Sequence, residues 1–550
     1  MDLGELIAET DVRVISGGVG KVRVCDLTED SRTVVPGSLF IAREGTKADG
    51  KQYVAPAVEA GAVAVLTDDE SVRAPEGFDV PVLFSADVER ACGRMAERFY
   101  GSPAGKLRLV GVTGTNGKTT TTFLTWQLLN NAAIRCGLIG TVLVDDGVEV
   151  APASMTTPPA IEISRTLSMM VEGGCRAAAL EVSSHALDQK RADALPFAAG
   201  VFTNLTGDHL DYHKTMEEYA SAKARLFEML AQGATAIVNA GDAASERMLR
   251  DCKAKVLRCA AVTKGASAGG ADCVAEIVEE STAGMLLKLT GPWGSVQELV
   301  PLIGRYNAMN VLQAVAASCV VGLPVKELSR GLARLTAPPG RLERVTEPED
   351  PFSVFVDYAH SDDSLRNVLS AVASVMTVRR HASGMMHDAA GAPVERREGG
   401  KLWVVFGCGG DRDKTKRPRM GLAAATLADH VIITNDNPRT ERPGDIVDEI
   451  MAGIPAEAKD KVVVQIDRAK AIRLAIESAG PRDVVVIAGK GHETEQILPD
   501  GSGGTIRTHF DDREVAREVL AIRRPQKPVE VKARRLRQVA ARKWARETPG

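Results

Sequence analysis

The stretch that most restricts how this chain folds lies at residues 107–129. Leu107-Arg-Leu-Val-Gly-Val112 is a short apolar run, Thr113-Gly-Thr-Asn-Gly-Lys-Thr-Thr120 is rich in glycine and threonine, and Thr121-Thr-Phe-Leu-Thr-Trp-Gln-Leu-Leu129 resumes a helical pattern. A buried strand that enters a helix through a glycine turn is the context of a phosphate-binding P-loop. Gly114 and Gly117 let the backbone amides of Thr115 and Asn116 approach a polyphosphate. Lys118 brings a cation to its terminal phosphates, and Thr119, followed by Thr120, offers a hydroxyl to Mg²⁺. Position 112 is valine where a strict Walker sequence has glycine. The Gly-Lys-Thr-Thr at a strand-to-helix junction nevertheless points to nucleotide binding, and it predicts an α/β fold with ligands at the carboxyl ends of parallel strands.

That pattern repeats along the chain. Ala177-Ala-Ala-Leu-Glu-Val182 runs into Ser183-Ser-His185, and Gly200-Val-Phe-Thr203 into Asn204-Leu-Thr-Gly-Asp-His209, with helical segments between. Shorter apolar runs, Ala62–Leu66 and Val80–Phe84, come first, and Phe352–Val356, Leu402–Phe406, Val431–Thr434 and Val484–Ala488 come after Ala337-Pro-Pro-Gly340. With 550 residues, about three or four domains are expected, and the pattern along the chain marks three: 1–103, a central nucleotide domain 104–338 and a third α/β domain 339–522. Gly101–Gly105 reads as a linker, and hinges are expected near 101–105 and 337–340. Residues 379–400 read as a surface insertion.

Composition narrows the class of protein. Hydrophobic residues at 44% and charged residues at 25% exclude a disordered or fibrous chain, and the net charge of -4 gives no reason to expect nucleic acid as the main partner. Nine scattered cysteines without a CxxC argue against a disulfide framework or zinc module and fit a reducing cytoplasm. The acidic start lacks a signal-peptide pattern, and the apolar stretch Val311–Leu323 is too short to span a bilayer. Charge is uneven, however. Residues 523–550 hold ten Lys or Arg against Glu530 and Glu547, a net +8 that leaves the rest of the chain at -12. A solvated basic tail is expected there, with weak contact to an anionic surface as the alternative.

The loop variant Thr113–Thr120 resembles that of the Mur ligases, the ATP-dependent amide-forming enzymes of peptidoglycan precursor synthesis. The resemblance continues through Thr156-Thr157-Pro158, Glu181-Val-Ser-Ser-His185, Thr203-Asn204, Gly207-Asp-His-Leu-Asp-Tyr-His213, Lys223, Gly340-Arg-Leu-Glu343, Asp357-Tyr-Ala-His360, Asp436-Asn-Pro-Arg439 and Gly489-Lys-Gly-His-Glu493. It covers the chain to about residue 520, and the order looks like the branch that adds the third amino acid. It implies three domains: a UDP-sugar-binding domain, a central P-loop ATPase domain and a Rossmann-like C-terminal domain. It also implies an acyl-phosphate intermediate, Mg²⁺, and a place in cell-wall growth, shape and division.

The resemblance also assigns roles. Lys118, Lys223 and His360 are the implied catalytic residues. ATP falls to Gly114–Thr120 together with Asn310, Arg341, Asp357 and His360, with Asn307 near the adenine side. Thr119, Glu181 and His209 are the implied metal ligands, joined by Lys223 once CO₂ has converted it to a carbamate. From the residues alone, Lys223 in the amphipathic segment Glu217–Leu230 reads as an exposed helical lysine, and His209 is as well explained as a structural histidine. Glu29, Ser31, Thr46, Lys47 and Ala48 match the uridine-nucleotide pocket, and Thr156, Thr157, Ser183, Gln189 and Arg191 match positions that hold the rest of a UDP-N-acetylmuramoyl dipeptide. Taken singly, each is also explained as an ordinary surface residue. The family turn continues Thr-Pro after the histidine of Asp-Tyr-Ala-His, whereas this chain has Ser361-Asp362.

For the incoming amino acid, the implied set is Arg412, Asp436, Asn437, Pro438, Arg439, Gly489 and Glu493. Arg439 can pair bidentately with a carboxylate. meso-Diaminopimelate has a distal carboxylate and lysine has none, so Arg439 argues for diaminopimelate, with Glu493 taking the distal ammonium. The alternatives are the L-lysine-adding relative, folylpolyglutamate synthetase, which explains neither the first domain nor Asp-Asn-Pro-Arg, and a catalytically dead scaffold.

Overall fold

In the computed structural model, the described residues are 1–8, 10–45, 48–376, 386–387, 393–394 and 400–524. Thr46 and Lys47, nearly all of the expected insertion and the chain beyond Arg524 lie outside them. The chain divides between Pro339 and Gly340 into two compact units.

The first unit carries two sheets. Near the amino terminus, five strands lie in the order Arg13–Ser16, Val82–Phe84, Ala64–Thr67, Ser38–Ala42 and Asp26–Thr28, parallel except at Arg13–Ser16. Ser38–Ala42 and Ala64–Thr67 are buried along their whole length, as central parallel strands require. The larger sheet has eleven strands. Its centre runs Cys136–Ile139, Ala177–Glu181, Arg108–Thr113, Phe197–Phe202, Thr235–Asn239, all parallel. The P-loop strand is thus flanked by the two strands that end in Glu181 and in Phe202-Thr203. Helix Lys118–Asn131 covers one face with helix Arg305–Val321, which contains most of the apolar stretch Val311–Leu323. Helix Met216–Glu228 covers the other.

Residues 103–106 form a 3₁₀ turn rather than a loose linker. Pro103 and Ala104 are buried, and Ala104 N–H donates to the buried Glu97 carboxylate at 3.1 Å. An ion pair at 2.6 Å from Lys190 to Asp87 further ties the two sheets of this unit.

The second unit is built on six strands in the order Glu343–Arg344, Ser353–Asp357, Val484–Ala488, Leu402–Phe406, His430–Ile433 and Val462–Val464, parallel after the first pair. The last helix, Asp512–Arg523, is fastened by a fully buried ion pair, Arg468 Nε to Asp512 Oδ1 at 2.7 Å. It runs through Arg523, whose guanidinium lies 4.5 Å over the Phe352 ring, while Arg524 pairs with Asp350 at 2.5 Å. These two cations, counted above with the basic tail, belong to the folded body because each has a partner in it.

Candidate functional site

The P-loop site is assembled at the carboxyl ends of the three central strands. Gly114 (φ +147°) and Gly117 (φ +87°) hold backbone that other residues rarely adopt. A side chain at Gly114 would run into the Thr203 hydroxyl, and one at Gly117 would come within 2.6 Å of Asn310 Oδ1. The neighbouring strand end latches the loop: Asn116 N–H donates to Asn204 Oδ1 at 2.9 Å, while Asn204 Nδ2 and Thr203 Oγ1 donate to the Asn116 carbonyl at 2.9 and 2.6 Å. Asn310 is buried against the loop, accepting from Thr121 Oγ1 at 3.3 Å and donating to Asn307 at 3.1 Å.

Two lysines converge on this loop. Lys118 Nζ donates to the carbonyls of Gly114 and Thr115 at 3.0 and 2.9 Å. Lys223 Nζ donates to the same Gly114 carbonyl at 2.7 Å and lies 4.3 Å from the Tyr219 ring centre. Lys223 is only 1% exposed, not the solvated helical lysine that its segment alone suggests. Burial, reinforced by the charge of Lys118, holds its amine well below the ordinary lysine range. The neutral form is thereby favoured.

Glu181, also 1% exposed, faces the loop from the other side. Its Oε2 accepts from Thr119 Oγ1 at 3.0 Å and Thr141 Oγ1 at 2.9 Å, and its Oε1 from Thr141 N–H at 2.7 Å. From Glu181 the polar network runs on without a break. Thr141 reaches Thr156 at 3.1 Å, Thr157 Oγ1 donates to the Glu181 carbonyl at 2.7 Å, and Ser183 N–H donates to Thr157 Oγ1 at 3.1 Å. Arg191 donates to the Thr157 carbonyl and to Gln189 Oε1, each at 2.6 Å. The network has an aromatic arm: Gln189 Nε2 reaches Tyr212 Oη at 3.3 Å, and the His185 ring packs 4.2 Å from Tyr212 and 4.9 Å from His209. His209 stands at φ +54°. Desolvation lowers the pKa of both histidines, that of His185 to about 4, so their rings stay neutral near pH 7.

In the first sheet, Glu29 pairs with Arg43 at 2.6 Å. Both act electrostatically on Arg191, whose pKa is lowered first by burial. Ser31 opens a 3₁₀ turn, and the Ala48 carbonyl accepts from Gly45 N–H at 2.9 Å.

The second unit gathers its own groups. Asp357 ends a central strand and accepts from Leu342 N–H and Ala359 N–H at 2.6 and 2.7 Å; burial raises its pKa to about 6 despite the nearby Arg341. Tyr358 stacks under the Arg341 guanidinium at 4.6 Å, and the ring of His360 lies 4.7 Å from it. The departure at Ser361-Asp362 makes a local cap: Ser361 and Ser364 exchange N–H to Oγ bonds of 3.1 and 3.2 Å at the start of helix Asp362–Met376. Asp436, Asn437 and Pro438 are buried, and Arg439, at φ +53°, donates to the Gly410 carbonyl at 2.7 Å. A side chain at Gly409 would lie 3.0 Å from Arg439 Nη1 and 3.8 Å from Arg412 Cγ, so the two arginines border the same small space. Asn437 Nδ2 donates to Glu493 Oε2 at 2.8 Å. One side chain at Gly489 would strike Asp436 Oδ2, which explains a glycine there.

Sequence reasoning gave no role to several of these partners. Thr141 follows the strand Cys136–Ile139 by two residues, so the rule that polar residues after apolar runs carry chemistry would have found it. Tyr219, Lys490, Arg468 and the fully buried Arg417, which pairs with Glu441 at 3.0 Å and Glu449 at 2.7 Å, leave no comparable mark.

Family relationships agree with this geometry. The Mur ligase family catalytic domain matches residues 26–100, the Mur ligase middle domain 112–318, and the Mur ligase glutamate ligase domain 389–491. A protein of Gloeobacter violaceus named UDP-N-acetylmuramoyl-L-alanyl-D-glutamate--2,6-diaminopimelate ligase is 42% identical over 524 residues, covering 95% of this chain and 99% of its own. The protein of the same name from Thermosynechococcus vestitus is 43% identical over 492 residues, covering 89% and 92%. A solved structure of a ligase of that name superposes with a TM-score of 0.63 at 32% identity, covering 91% of this chain and 95% of the other. Folylpolyglutamate synthase of Mycobacterium tuberculosis complexed with ADP shares the fold alone, at 17% identity, 72% and 91% coverage and a TM-score of 0.54. The chain belongs to the Mur ligase family. Among the described residues, no helix is long and apolar enough to cross a membrane.

Proposed function

We propose that the chain is an ATP-dependent, ADP-forming ligase that joins meso-2,6-diaminopimelate to UDP-N-acetylmuramoyl-L-alanyl-D-glutamate. The observation that carries the reading is the placement of Lys118, Lys223 and the Glu181–Thr119 pair around one P-loop, beside the polar network from Thr156 to Arg191. Joining a carboxylate to an amine in water needs an activated acyl group, and phosphorylation by ATP supplies it, with phosphate as the leaving group. The difficulty is electrostatic, because the triphosphate repels the carboxylate it must meet.

Lys118 offsets charge on the terminal phosphates, and the loop amides hold the rest. Thr156, Thr157, Ser183, Gln189 and Arg191 orient the dipeptide, with Glu29, Ser31, Thr46, Lys47 and Ala48 at its uridine end. Arg341, Asp357, Asn310 and His360 serve the nucleotide. The hard oxygens of Glu181 and Thr119, 3.0 Å apart, suit Mg²⁺, with His209 as a further ligand. Mg²⁺, when bound, neutralises phosphate charge. Lys223 fits a carbamate role for a chemical reason: only the neutral amine attacks CO₂, and burial favours that form. Arg439 and Arg412 take the distal carboxylate of diaminopimelate, and Glu493 its ammonium.

The test is phosphate release with ATP, Mg²⁺ and the UDP-dipeptide, comparing meso-diaminopimelate, L-lysine and no amino acid. Release with diaminopimelate alone, with the tripeptide product, is expected. Preference for lysine overturns the role of Arg439, and silence with both points to a scaffold.

A further inference from the structure

Asp436-Asn-Pro-Arg439 and Gly489-Lys-Gly-His-Glu493 lie about fifty residues apart in the chain, yet one side chain ties them together. Lys490 is fully buried, and its ammonium has three acceptors: Glu495 O at 2.5 Å, Glu493 Oε2 at 3.1 Å and Asn437 Oδ1 at 3.2 Å. Three N–H groups meet three oxygens, so the charge is hydrogen-bonded throughout.

The rest of the arrangement follows from that lysine. Asn437 Oδ1 accepts from Lys490 and from Ile497 N–H at 3.0 Å, which fixes the amide so that Nδ2 points to Glu493 Oε2. Glu493 therefore takes two donors on one oxygen. Its Oε1 accepts no hydrogen bond from the described residues, and its side chain is a third exposed. The same Ile497 accepts from Arg439 N–H at 3.1 Å, so the arginine and the carboxylate are registered against one strand, Glu495–Pro499.

We propose that Lys490 is a positioning residue that sets the distance between Glu493 and Arg439, and so lets the pocket read an ammonium and a carboxylate borne on the same carbon. This rests on the diaminopimelate reading. Without Lys490, Glu493 Oε2 keeps one donor, Asn437 Nδ2, and the carboxylate is held less firmly towards the distal ammonium.

The experiment uses the full chain, its Lys490→Met and Lys490→Arg variants, and two acceptors: meso-diaminopimelate and 2-aminopimelate, which keeps the distal carboxylate and lacks the distal amine. Wild type should prefer diaminopimelate by about 10- to 100-fold in kcat/KM, the range of a lost hydrogen bond to a charged group. In Lys490→Met that preference should collapse towards one, with KM for ATP unchanged, and Lys490→Arg should restore part of it. A preference that survives in Lys490→Met overturns the proposal, as does a parallel rise in every KM. If the methionine variant does not fold, Lys490→Gln gives the same ratio. Failure of the underlying substrate reading shows separately, as a wild type that does not use diaminopimelate.

Discussion

The P-loop site of the first unit and the amino-acid pocket proposed for the second are held together by different means. Around the P-loop, the latching groups hang on strand ends and on backbone: Asn116, Thr203 and Asn204 bond the loop itself, and both lysines rest on the Gly114 carbonyl. In the second unit, buried cations are met by side chains as well as by carbonyls: Lys490 by Asn437, Glu493 and the Glu495 carbonyl, Arg417 by Glu441 and Glu449, Arg468 by Asp512. A site hung on backbone depends on few residue identities, whereas a site held by buried charges depends on every partner being present.

Lys223→Met cannot form the proposed carbamate and should lower phosphate release by about 10³-fold, the upper end of the cost of removing one stabilising group from a reacting centre, with the melting temperature little changed; a large drop in melting temperature instead would make the lysine structural. In the second unit the balance should reverse. Arg468→Met leaves Asp512 buried and unpaired, which should cost about 3–5 kcal/mol in a denaturant titration. The double variant Arg468→Met with Asp512→Leu should lose less, and equal losses would mean the pair is not the source.

Arg439→Lys sharpens the contrast within the pocket. It keeps the charge but loses the fork, so kcat/KM for diaminopimelate should fall about 100-fold with KM for ATP steady.

The smallest effect is on a slope. Asp357 binds its proton more tightly when folded, with a pKa near 6 against 3.8, so its contribution to stability is complete below about pH 3.8 and is lost as pH rises through 6. Asp357→Asn should flatten that fall in urea midpoints measured across this range. An unchanged slope would assign it to another group.

The same division explains what the sequence disclosed. The α/β fold and the three central strands are legible because each ends in a motif, and Thr119 and the loop glycines follow from strand-to-helix context, whereas the role of Glu181 comes from the family resemblance. Lys223 was not legible from its own segment. Helix Met216–Glu228 is amphipathic either way, and only its packing on the sheet turns that lysine towards Gly114. Lys490 sat inside a quoted motif without a role, because its three acceptors come from residues 437, 493 and 495 and no spacing rule joins them. Arg523 and Arg524 looked like the start of a solvated tail, since composition cannot show that Phe352 and Asp350 are waiting for them.

The bonds around the P-loop join residues 62 and 88 positions apart, Thr119 to Glu181 and Asn116 to Asn204. A nucleotide lodged there closes those long loops a second time, and at one hundred times its Kd it adds about 2.7 kcal/mol to the folded state. Unfolding, and with it proteolysis, slows when the nucleotide is plentiful. Loss of bound nucleotide, whether ATP or ADP, then costs folded protein as well as rate.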